Sequence, residues 1–489
     1  MRLHSVDVLI IVAYLLGITF FGLRFRKSQR SLRDYFLADR TIPWWAIALS
    51  IVAAETSTLT VIGTPGIAYG GNFGFLQVVF GYLAGRVVIS IIFIPHYFRG
   101  EMFTAYQLID RRFGKMLHRI TAAVFLLTRA AAEGVRVWAV AIVVGIALGT
   151  SQLGSIAIVL LLTLIYTFEG GMAAVIWTDV VQLLIYVSGT IVGFFTLLHL
   201  VPGGWTAVHS AASAAGKLQV LDFGFSFFKT YTFWAGLIGG MFLTTATHGT
   251  DQLMVQRLLS ARNQRDSQTA LLSSGLVILA QFTLFLLFGA GLWVFYRMYP
   301  PASQFSSLDR VFPSFIVDYM PHGISGLLIA AILAAAMSNL SAALNSLSST
   351  TMIDFYLRIR PETSERKRLG LSRAATIVWG IVLFGLALLS RQSRTVLETG
   401  LSIASVAYGG LLGVFLLGLL TKRATQRGAI AGMICGLIVN TYIWRWTHIA
   451  WTWYVTIGAS ATFAVGYLAS LMRASNETPA AEAAETQKW

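Results

Sequence analysis

The fold class is decided by 28 consecutive residues without a charge, Thr269 to Tyr296, which read TALLSSGLVILAQFTLFLLFGAGLWVFY. A helix needs about 20 apolar residues to cross the hydrocarbon core of a bilayer, so this run is long enough to span it. Twelve further apolar runs flank it between residues 6 and 472. The sequence therefore predicts an all-α polytopic membrane protein with about 13 transmembrane helices.

The composition agrees with a membrane protein, because 56% of the residues are hydrophobic and only 12% are charged. A soluble domain carries roughly 25% charged residues. The net charge of +15 comes from Lys and Arg in short connectors between apolar runs, whereas nucleic-acid binders cluster them on one face. We therefore expect no nucleic-acid partner. The sequence has one cysteine, Cys435, which excludes a disulfide within the chain.

The distribution of Lys and Arg predicts the orientation in the membrane. If the first connector is cytoplasmic, alternation places 25 of them on the cytoplasmic side and eight outside. The other three lie within helices: Arg86, Arg129 and Arg136. Because cytoplasmic connectors carry the excess of positive charge, we expect a multi-pass protein of the cell inner (plasma) membrane, surrounded by the lipid bilayer. Its N-terminus is expected outside and its C-terminus in the cytoplasm.

Two apolar runs are interrupted by polar and small residues. The second run, 43–70, contains one acid, Glu55, and five hydroxyl residues within ALSIVAAETSTLT (48–60). The seventh run, 230–257, contains TTATHGTDQ (244–252). Interrupted helices at corresponding places in two halves of a chain are typical of secondary transporters, whose freed carbonyls coordinate cations. Ordinary kinks, stabilised by neighbouring Thr side chains, are the alternative interpretation.

The ninth run, 323–353, is rich in small residues, since twelve of the twenty residues 330–349 are Ala or Ser. Small residues allow helices to approach closely, so we expect this helix to be central. Ala335, Ser338 and Asn339 share one face at spacings i, i+3 and i+4. Their carbonyl, hydroxyl and amide oxygens suit a monovalent cation. Close packing alone would also explain the composition.

Ionisable residues at membrane depth are costly and usually face a cavity or a partner. Seven are expected there: Glu55, Arg86, Arg129, Glu133, Arg136, Asp179 and Asp251. The spacing of Glu133 from Arg129 and Arg136 allows local ion pairs on one helix. Asp179 has no basic residue within one helical turn, which favours a bound cation or a distant helix as its partner.

At these positions the sequence resembles the sodium:solute symporter family, whose members carry proline, glucose, pantothenate, monocarboxylates or sialic acid. GGMAAVIWTDVVQ (170–182) is similar to the family's GG-x-x-AV-x-WTD-x-x-Q segment. TDQLMVQR (250–257), continued by residues 262–270, resembles a second pattern. NSLSSTTMIDFY (345–356) resembles the end of the family's ion-binding helix. The three segments occur in the family's order.

The resemblance implies a LeuT-type five-plus-five inverted repeat, with halves at about 43–201 and 230–420. The two halves belong to one transmembrane transporter domain, 1–472, and the polar tail 473–489 is expected to be cytoplasmic and disordered. The resemblance also implies sodium-coupled symport by alternating access, with Na+ as the coupling ion and no enzymatic activity.

The resemblance further implies a sodium site. Its expected members are Ala53, Thr56 and Ala335 through their carbonyls, and Ser338 and Asn339 through their side chains. The family usually has Ser or Thr where this chain has Asn339, so proton coupling or weak sodium dependence stays open. Asp179 matches an acid of the sodium pathway. With Ser341 it is assigned to that pathway or to a second ion, although Ala342 lacks a hydroxyl present in some members.

The same resemblance narrows the solute to a small polar organic molecule. Leu59 and Thr60 stand where some sugar carriers have a Glu-Gln pair, which disfavours a hexose. Arg136 lies where sialic acid carriers use an Arg on the substrate carboxylate, and a guanidinium fork suits that group. We therefore expect a carboxylate or zwitterion, in contact with five residues: Glu55, Ser57, Thr60, Gln77 and Arg136. Pairing of Arg136 with Glu133 alone is the alternative.

Other function classes fit less well. His96 and His118 stand alone, and the sequence has neither a metal-spaced cluster nor a phosphate-binding loop, which disfavours an enzyme or an ATP-driven pump. A membrane solute sensor remains the non-transport alternative, although the few residues after Arg473 leave no room for an output domain. No obligate protein partner is expected.

Overall fold

The computed structural model describes seven ranges of the chain: 4–25, 31–100, 102–148, 150–301, 304–305, 308–389 and 396–474. Within these ranges the chain is helical and forms no strand, apart from an isolated β-bridge between Ile42 and Ala261. Except for its first two residues, the tail predicted at 473–489 lies outside the described residues.

The described residues form twenty α-helices, numbered in chain order. The first ten are α1 Ser5–Leu23, α2 Leu32–Leu37, α3 Trp44–Glu55, α4 Thr58–Gly70, α5 Leu76–Val88, α6 Ile94–Tyr97, α7 Tyr106–Phe113, α8 Lys115–Leu148, α9 Gln152–Leu200 and α10 Gly204–Ala214. The second ten are α11 Gly240–Gly249, α12 Gln252–Leu259, α13 Gln264–Met298, α14 Val311–Tyr319, α15 Ile324–Thr350, α16 Leu357–Ile359, α17 Glu365–Leu389, α18 Val396–Leu420, α19 Gln426–Trp446 and α20 Tyr454–Ala474.

Many of these helices are long and apolar enough to cross a membrane. Among the described residues eight spans meet this criterion, and nine do if α3 and α4, bent by 62°, count as one. The thirteen predicted spans are therefore not all recovered by length and composition. One reason is that α8 carries Arg129, Glu133 and Arg136 in mid-helix; another is that α11 and α12 are separated by a break.

Both predicted helix interruptions are confirmed. Helix α3 ends at Glu55, Thr56 and Ser57 adopt extended backbone, and α4 begins at Thr58. Helix α11 ends at Gly249, and α12 begins only after Asp251. The Asp251 carboxylate accepts a hydrogen bond from the Leu253 amide at 2.9 Å, which caps the N-terminus of α12. In the second interrupted run, a polar residue thus satisfies a backbone group that the break leaves free.

Helix α9 changes direction at Gly171, where φ is 55° and ψ is −152°. Glycine reaches a positive φ without a steric penalty because it has no Cβ atom. The second half of α9, Gly171–Leu200, is therefore a separate span.

Helix α15 lies at the centre of the bundle, as its small residues predicted. Of its membrane-length window, 94% is buried, and the helix packs against α1, α3, α8 and α9. Because Ala and Ser side chains are short, these neighbours approach its backbone closely. Helix α15 therefore faces the first helix break and the charged residues of α8 together.

Candidate functional site

A cavity of about 140 Å³ lies between the two broken helices. Its polar lining comes from α3–α4, α8, α11–α12 and α18: Glu55, Ser57, Thr60, Thr64, Arg129, Arg136, Thr244, Thr247, His248, Asp251 and Tyr408. Phe75, Tyr82 and Phe282 supply aromatic walls. A concave, largely apolar site with a few converging polar groups is typical of small-molecule binding.

Asp179 lies at the centre of a buried hydrogen-bond cluster. Its Oδ1 accepts from the Ser338 hydroxyl at 2.7 Å, and its Oδ2 accepts from the Ser50 hydroxyl at 2.5 Å. Arg257 on α12 completes the cluster with an Nη2–Oδ2 distance of 2.7 Å. The distant-helix partner that the sequence left open for Asp179 is therefore Arg257, the last residue of the seventh apolar run.

The residues expected to bind sodium lie at the end of α3, where that helix breaks, and on α15, which packs against α3. Thr56 accepts a hydrogen bond from Gln281 Nε2 at its hydroxyl, at 2.6 Å, and its amide bonds to the Val52 carbonyl at 3.0 Å. The carbonyls of the last turn of α3, among them that of Ala53, have no partner within their own helix. Ala335 and Ser338 are fully buried on the facing helix α15.

Asn339 joins α15 to both α3 and α8. Its Nδ2 donates to the Ala54 carbonyl at 2.7 Å. Its Oδ1 accepts from Arg129 Nη2 at 3.2 Å and from Arg136 Nη1 at 3.1 Å. On the other side of the helix, the Ser341 hydroxyl donates to the carbonyl of Ser338 at 2.9 Å.

Two arginines of α8 share one carboxylate, as their spacing predicted. Glu133 Oε1 lies 2.7 Å from Arg129 Nη2 and 2.6 Å from Arg136 Nη1. Arg129 also lies 3.6 Å from Asp251, whose carboxylate accepts a hydrogen bond from the Tyr408 hydroxyl at 2.7 Å. Arg129 is 7% exposed and Arg136 is 27% exposed, so Arg136 is the more accessible guanidinium of the cavity.

Glu55, which also lines the cavity, is paired as well. It forms an ion pair with Arg86, and His248 Nε2 lies 3.5 Å from the same carboxylate oxygen. Arg86 Nε also donates to the Ser274 hydroxyl at 3.1 Å. The negative charge of Glu55 is thus balanced within the protein. The cavity is therefore lined by a paired carboxylate and not by an unpaired one.

The other expected substrate residues differ in position. Ser57 and Thr60 line the cavity, with their hydroxyls 3.3 Å apart. Gln77 is 1% exposed and does not line it. Its Oε1 accepts from the Asp222 amide at 2.8 Å, and its Nε2 donates to the Gly74 carbonyl at 3.1 Å. Gln77 therefore holds the segment after α10 against the start of α5.

Several residues at the site were not selected from the sequence. They are Ser50, His248, Arg257, Gln281 and Tyr408. His248 lies inside an interrupted run that the sequence did identify, and Gln281 is a polar residue in the uncharged run 269–296. The sequence therefore offered a reason to select those two positions. Arg257 was marked only as the last residue of the family-like segment 250–257, and nothing local separates Tyr408 from ordinary helix residues.

Comparisons with known proteins agree with this architecture. Residues 35–436 match the model of the sodium:solute symporter family. A sodium-dependent multivitamin transporter of Oryctolagus cuniculus is 30% identical over 425 residues, which are 85% of this chain and 66% of that protein. The chain thus spans just under two thirds of that relative. A sodium/sialic acid symporter of Aliivibrio fischeri is 26% identical and matches 96% of this chain and 94% of its own length.

Two solved structures share the fold of this chain. A Na+-coupled sialic acid symporter in a substrate-bound, outward-open state superposes with a TM-score of 0.87 at 26% identity. The match covers 96% of this chain and 98% of that one. A nucleobase-cation-symport-1 family transporter shares the fold at 13% identity, with a TM-score of 0.57. That match covers 94% of this chain and 98% of the transporter. The family match spans most of the chain and includes both broken helices and α15, and the chain therefore belongs to the sodium:solute symporter family.

Proposed function

We propose that this symporter carries a small polar organic solute with a carboxylate, either an anion or a zwitterion, in the cavity between its broken helices. As a family member the chain is a sodium-coupled transporter that works by alternating access, with Na+ as the coupling ion, rather than an enzyme. Solute and ion sites at the broken helices, near the middle of the bilayer, suit this mechanism because either side can be opened to them in turn.

The exposure of Arg136 carries the proposal for a carboxylate. Its guanidinium lines the cavity and is 27% exposed. Its described hydrogen bonds, to Glu133 and Asn339, both start from Nη1. A guanidinium has five N–H donors, so the rest of the fork can receive a planar carboxylate. Ser57 and Thr60, across the cavity, offer hydroxyls to the polar remainder of the solute.

The relatives support an acid as the solute. The similar proteins include sodium/sialic acid symporters and sodium-coupled monocarboxylate transporters, whose substrates share a carboxylate. Glu55, expected beside the solute, is neutralised by Arg86 and does not oppose an anion. We assign it to the rim of the cavity, whereas Gln77 does not line the cavity.

We place the coupling ion at the break between α3 and α4. Its ligands are the carbonyls of Ala53, Thr56 and Ala335 and the hydroxyl of Ser338, with Asn339 on the same helix face. A serine hydroxyl has one hydrogen to donate and two lone pairs, so Ser338 can donate to Asp179 and still face a cation. Carbonyl and hydroxyl oxygens are ligands that hard cations prefer.

Asp179 and Ser341 are proposed to belong to the sodium pathway on the inner side of that site. Arg257 already neutralises the Asp179 carboxylate, which favours a role in passage over a permanent second ion. Movement of α12 would separate Arg257 from Asp179 and leave the carboxylate to attract the leaving sodium.

We propose a topology of thirteen spans in one transporter domain, 1–472, with a cytoplasmic tail at 473–489. The inverted repeats are 43–201 and 230–420, each beginning with a broken helix. The N-terminus lies outside. Single-cysteine labelling in a Cys435→Ser background tests this: Lys229→Cys should react with an impermeant maleimide in intact cells, and Arg366→Cys only after permeabilisation. Labelling of Arg366→Cys in intact cells would refute the orientation.

Uptake into proteoliposomes tests the function. The panel contains sialic acid, short monocarboxylates such as propionate, biotin, amino acids and hexoses, each with and without an inward sodium gradient. We expect sodium-stimulated uptake of an acid or zwitterion and none of a hexose. Uptake driven equally well by a proton gradient would favour the proton-coupled alternative, and binding without uptake would favour a sensor.

Variants of Arg136 separate the carboxylate assignment from the sodium assignment. Arg136→Ala should weaken acid binding by about 10-fold or more, since it removes a charge-assisted hydrogen bond from the cavity. Arg136→Lys keeps the positive charge but loses the guanidinium fork. Its affinity for the acid should lie between those of the wild type and Arg136→Ala. Unchanged affinity in Arg136→Ala would refute the acid assignment while leaving sodium coupling intact.

A further inference from the structure

The side-chain amide of Asn339, on α15, links two other helices of the site, α8 and α3. Its oxygen receives hydrogen bonds from Arg129 at 3.2 Å and Arg136 at 3.1 Å, both on α8. Its nitrogen donates to the carbonyl of Ala54, in the last turn of α3, at 2.7 Å. Asn339 is 3% exposed, so these partners take the place of water.

The neighbours fix which end of this amide faces which group. A guanidinium can only donate hydrogen bonds, and a backbone carbonyl can only accept them. A flipped amide would direct its NH2 group at the donors of Arg129 and Arg136 and its oxygen at the oxygen of Ala54. All three contacts would then be unfavourable, so the orientation follows from the chemistry of the partners.

This orientation bears directly on sodium. A sodium ligand must offer an oxygen lone pair to the cation, but both lone pairs of the Asn339 oxygen face guanidinium groups. A sodium ion at this oxygen would lie next to two positive charges in a buried site, where repulsion is poorly screened. Ser338, the preceding residue, differs because its hydroxyl lies beside the carboxylate of Asp179.

Asn339 is also not needed to neutralise the arginines. Glu133 already contacts Arg129 at 2.7 Å and Arg136 at 2.6 Å, and it supplies the negative charge. What Asn339 adds is the connection to Ala54. Without it the two arginines keep their carboxylate partner but lose their link to the helix break.

We propose that Asn339 is a positioning residue that couples the arginines of the cavity to the sodium site, and that it does not ligate sodium. Sodium at the carbonyl of Ala53 fixes the end of α3. Through the neighbouring carbonyl of Ala54, Asn339 holds Arg129 and Arg136 where they receive an acid. This inference rests on the proposed function, since it takes the cavity as the acid site and the break of α3 as the sodium site.

The test measures sodium binding with and without an acid. Sodium is titrated calorimetrically into wild-type and Asn339→Ala protein in nanodiscs, alone and in the presence of sialic acid or propionate. By thermodynamic linkage, the factor by which the acid raises sodium affinity equals the factor by which sodium raises acid affinity. For Asn339→Ala we expect sodium affinity alone to change by less than about twofold, and this coupling factor to fall towards one.

Ser338→Ala is the matched control, one residue away on the same helix. It removes a proposed ligand and should lower sodium affinity, measured without acid, by about 10-fold. Asn339→Asp gives a second comparison. A carboxylate facing sodium would tighten sodium binding, whereas one facing Arg129 and Arg136 forms ion pairs and leaves Ala54 without its donor. We expect the second outcome, with unchanged sodium affinity and reduced coupling.

The outcomes separate the inference from the function on which it rests. If Asn339→Ala lost as much sodium affinity as Ser338→Ala, Asn339 would be a ligand and the inference would be overturned. A wild-type coupling factor in Asn339→Ala would overturn it too. Unchanged sodium affinity in Ser338→Ala would instead refute the proposed sodium site. If neither acid bound the wild type, the solute assignment would fail, and the sodium-only comparison would still decide the role of Asn339.

Discussion

Arg257 on α12 and Asp179 on α9, 78 residues apart in the chain, form a buried ion pair with 2.7 Å between Nη2 and Oδ2. Neither side chain is more than 1% exposed. Arg257 also donates from Nε to the Ser50 hydroxyl and from Nη1 to the Leu253 carbonyl, each at 2.8 Å. The segment after the second helix break is thereby tied to α3 and α9.

The ion pair predicts a large loss of stability in Arg257→Ala. Asp179 would keep the hydroxyls of Ser50 and Ser338 but lose its only cationic partner among the described residues. Removing one member of a buried pair costs about 3–5 kcal/mol, because the other charge stays buried without compensation. We expect a clearly lower melting temperature for the purified protein, measured by intrinsic fluorescence.

Two variants complete this measurement. Arg366→Ala removes an exposed arginine from α17 and should leave the melting temperature unchanged. The double variant Arg257→Ala/Asp179→Ala removes both charges and should recover part of the loss. Losses that simply add in the double variant would show that the two residues do not interact.

Sodium should stabilise Arg257→Ala more than it stabilises the wild type. Without the guanidinium, Asp179 is a buried anion that a cation from solution can neutralise. A ligand that binds only the folded state raises its stability in proportion to RT ln(1 + [L]/Kd). Exchange of choline for sodium in the buffer should therefore raise the melting temperature more in the variant. An extra rise that persisted in Arg257→Ala/Asp179→Asn would rule out this carboxylate as its source.

The helix breaks were predictable because their causes are local. Residues 48–60 and 244–252 concentrate hydroxyl, acidic and small side chains where an intact span would carry Leu. Such side chains bond to freed backbone groups, as Asp251 does to the Leu253 amide. The pairs of Glu133 on α8 were predictable for the same reason, since helical spacing alone brings them together.

The partner of Asp179 was not predictable, because it depends on how distant helices pack. Arg257 ends an apolar run and resembles the connector arginines from which the orientation is predicted. Only the break after Gly249 turns α12 so that this arginine is buried. The sequence alone shows that Asn339 differs from the Ser or Thr that the family usually has at this position. The direction of its amide could not be predicted, because it depends on Arg129, which lies 210 residues away.

Lys217 is predicted to hold the segment after α10 against the end of α4. Its Nζ donates to the Tyr69 carbonyl at 2.7 Å and lies 5.1 Å from the centre of the Trp293 ring. Loss of a hydrogen bond from a charged donor lowers the cost of local opening by about 1.5 kcal/mol or more. Lys217→Ala should therefore speed hydrogen–deuterium exchange of residues 217–222 by about 10-fold.

Lys229→Ala is the control for this segment. Lys229 is 71% exposed and lies 3.9 Å from the Asp222 carboxylate, so its contact is weak. Exchange of residues 217–222 should remain at the wild-type rate. If hydrogen–deuterium exchange were accelerated equally in the two variants, the contacts of Lys217 would not be what stabilises the segment.

Gly289 is predicted to be essential for the packing of α4, the second half of the first broken helix. A Cβ atom at this position of α13 would lie 2.1 Å from the Pro65 carbonyl oxygen and 2.8 Å from its Cα. Gly289→Ala must therefore push α4 away, and α4 carries Thr60 and Thr64 into the cavity. Overpacking of this kind costs about 1–3 kcal/mol, so we expect a lower melting temperature together with weaker solute uptake.

Gly17→Ala is the matched control, because a Cβ at that position meets no atom of the described residues within 4 Å. It should behave as the wild type in both assays. Wild-type uptake by Gly289→Ala would mean that α4 tolerates displacement, and that its contact with α13 does not set the shape of the solute site.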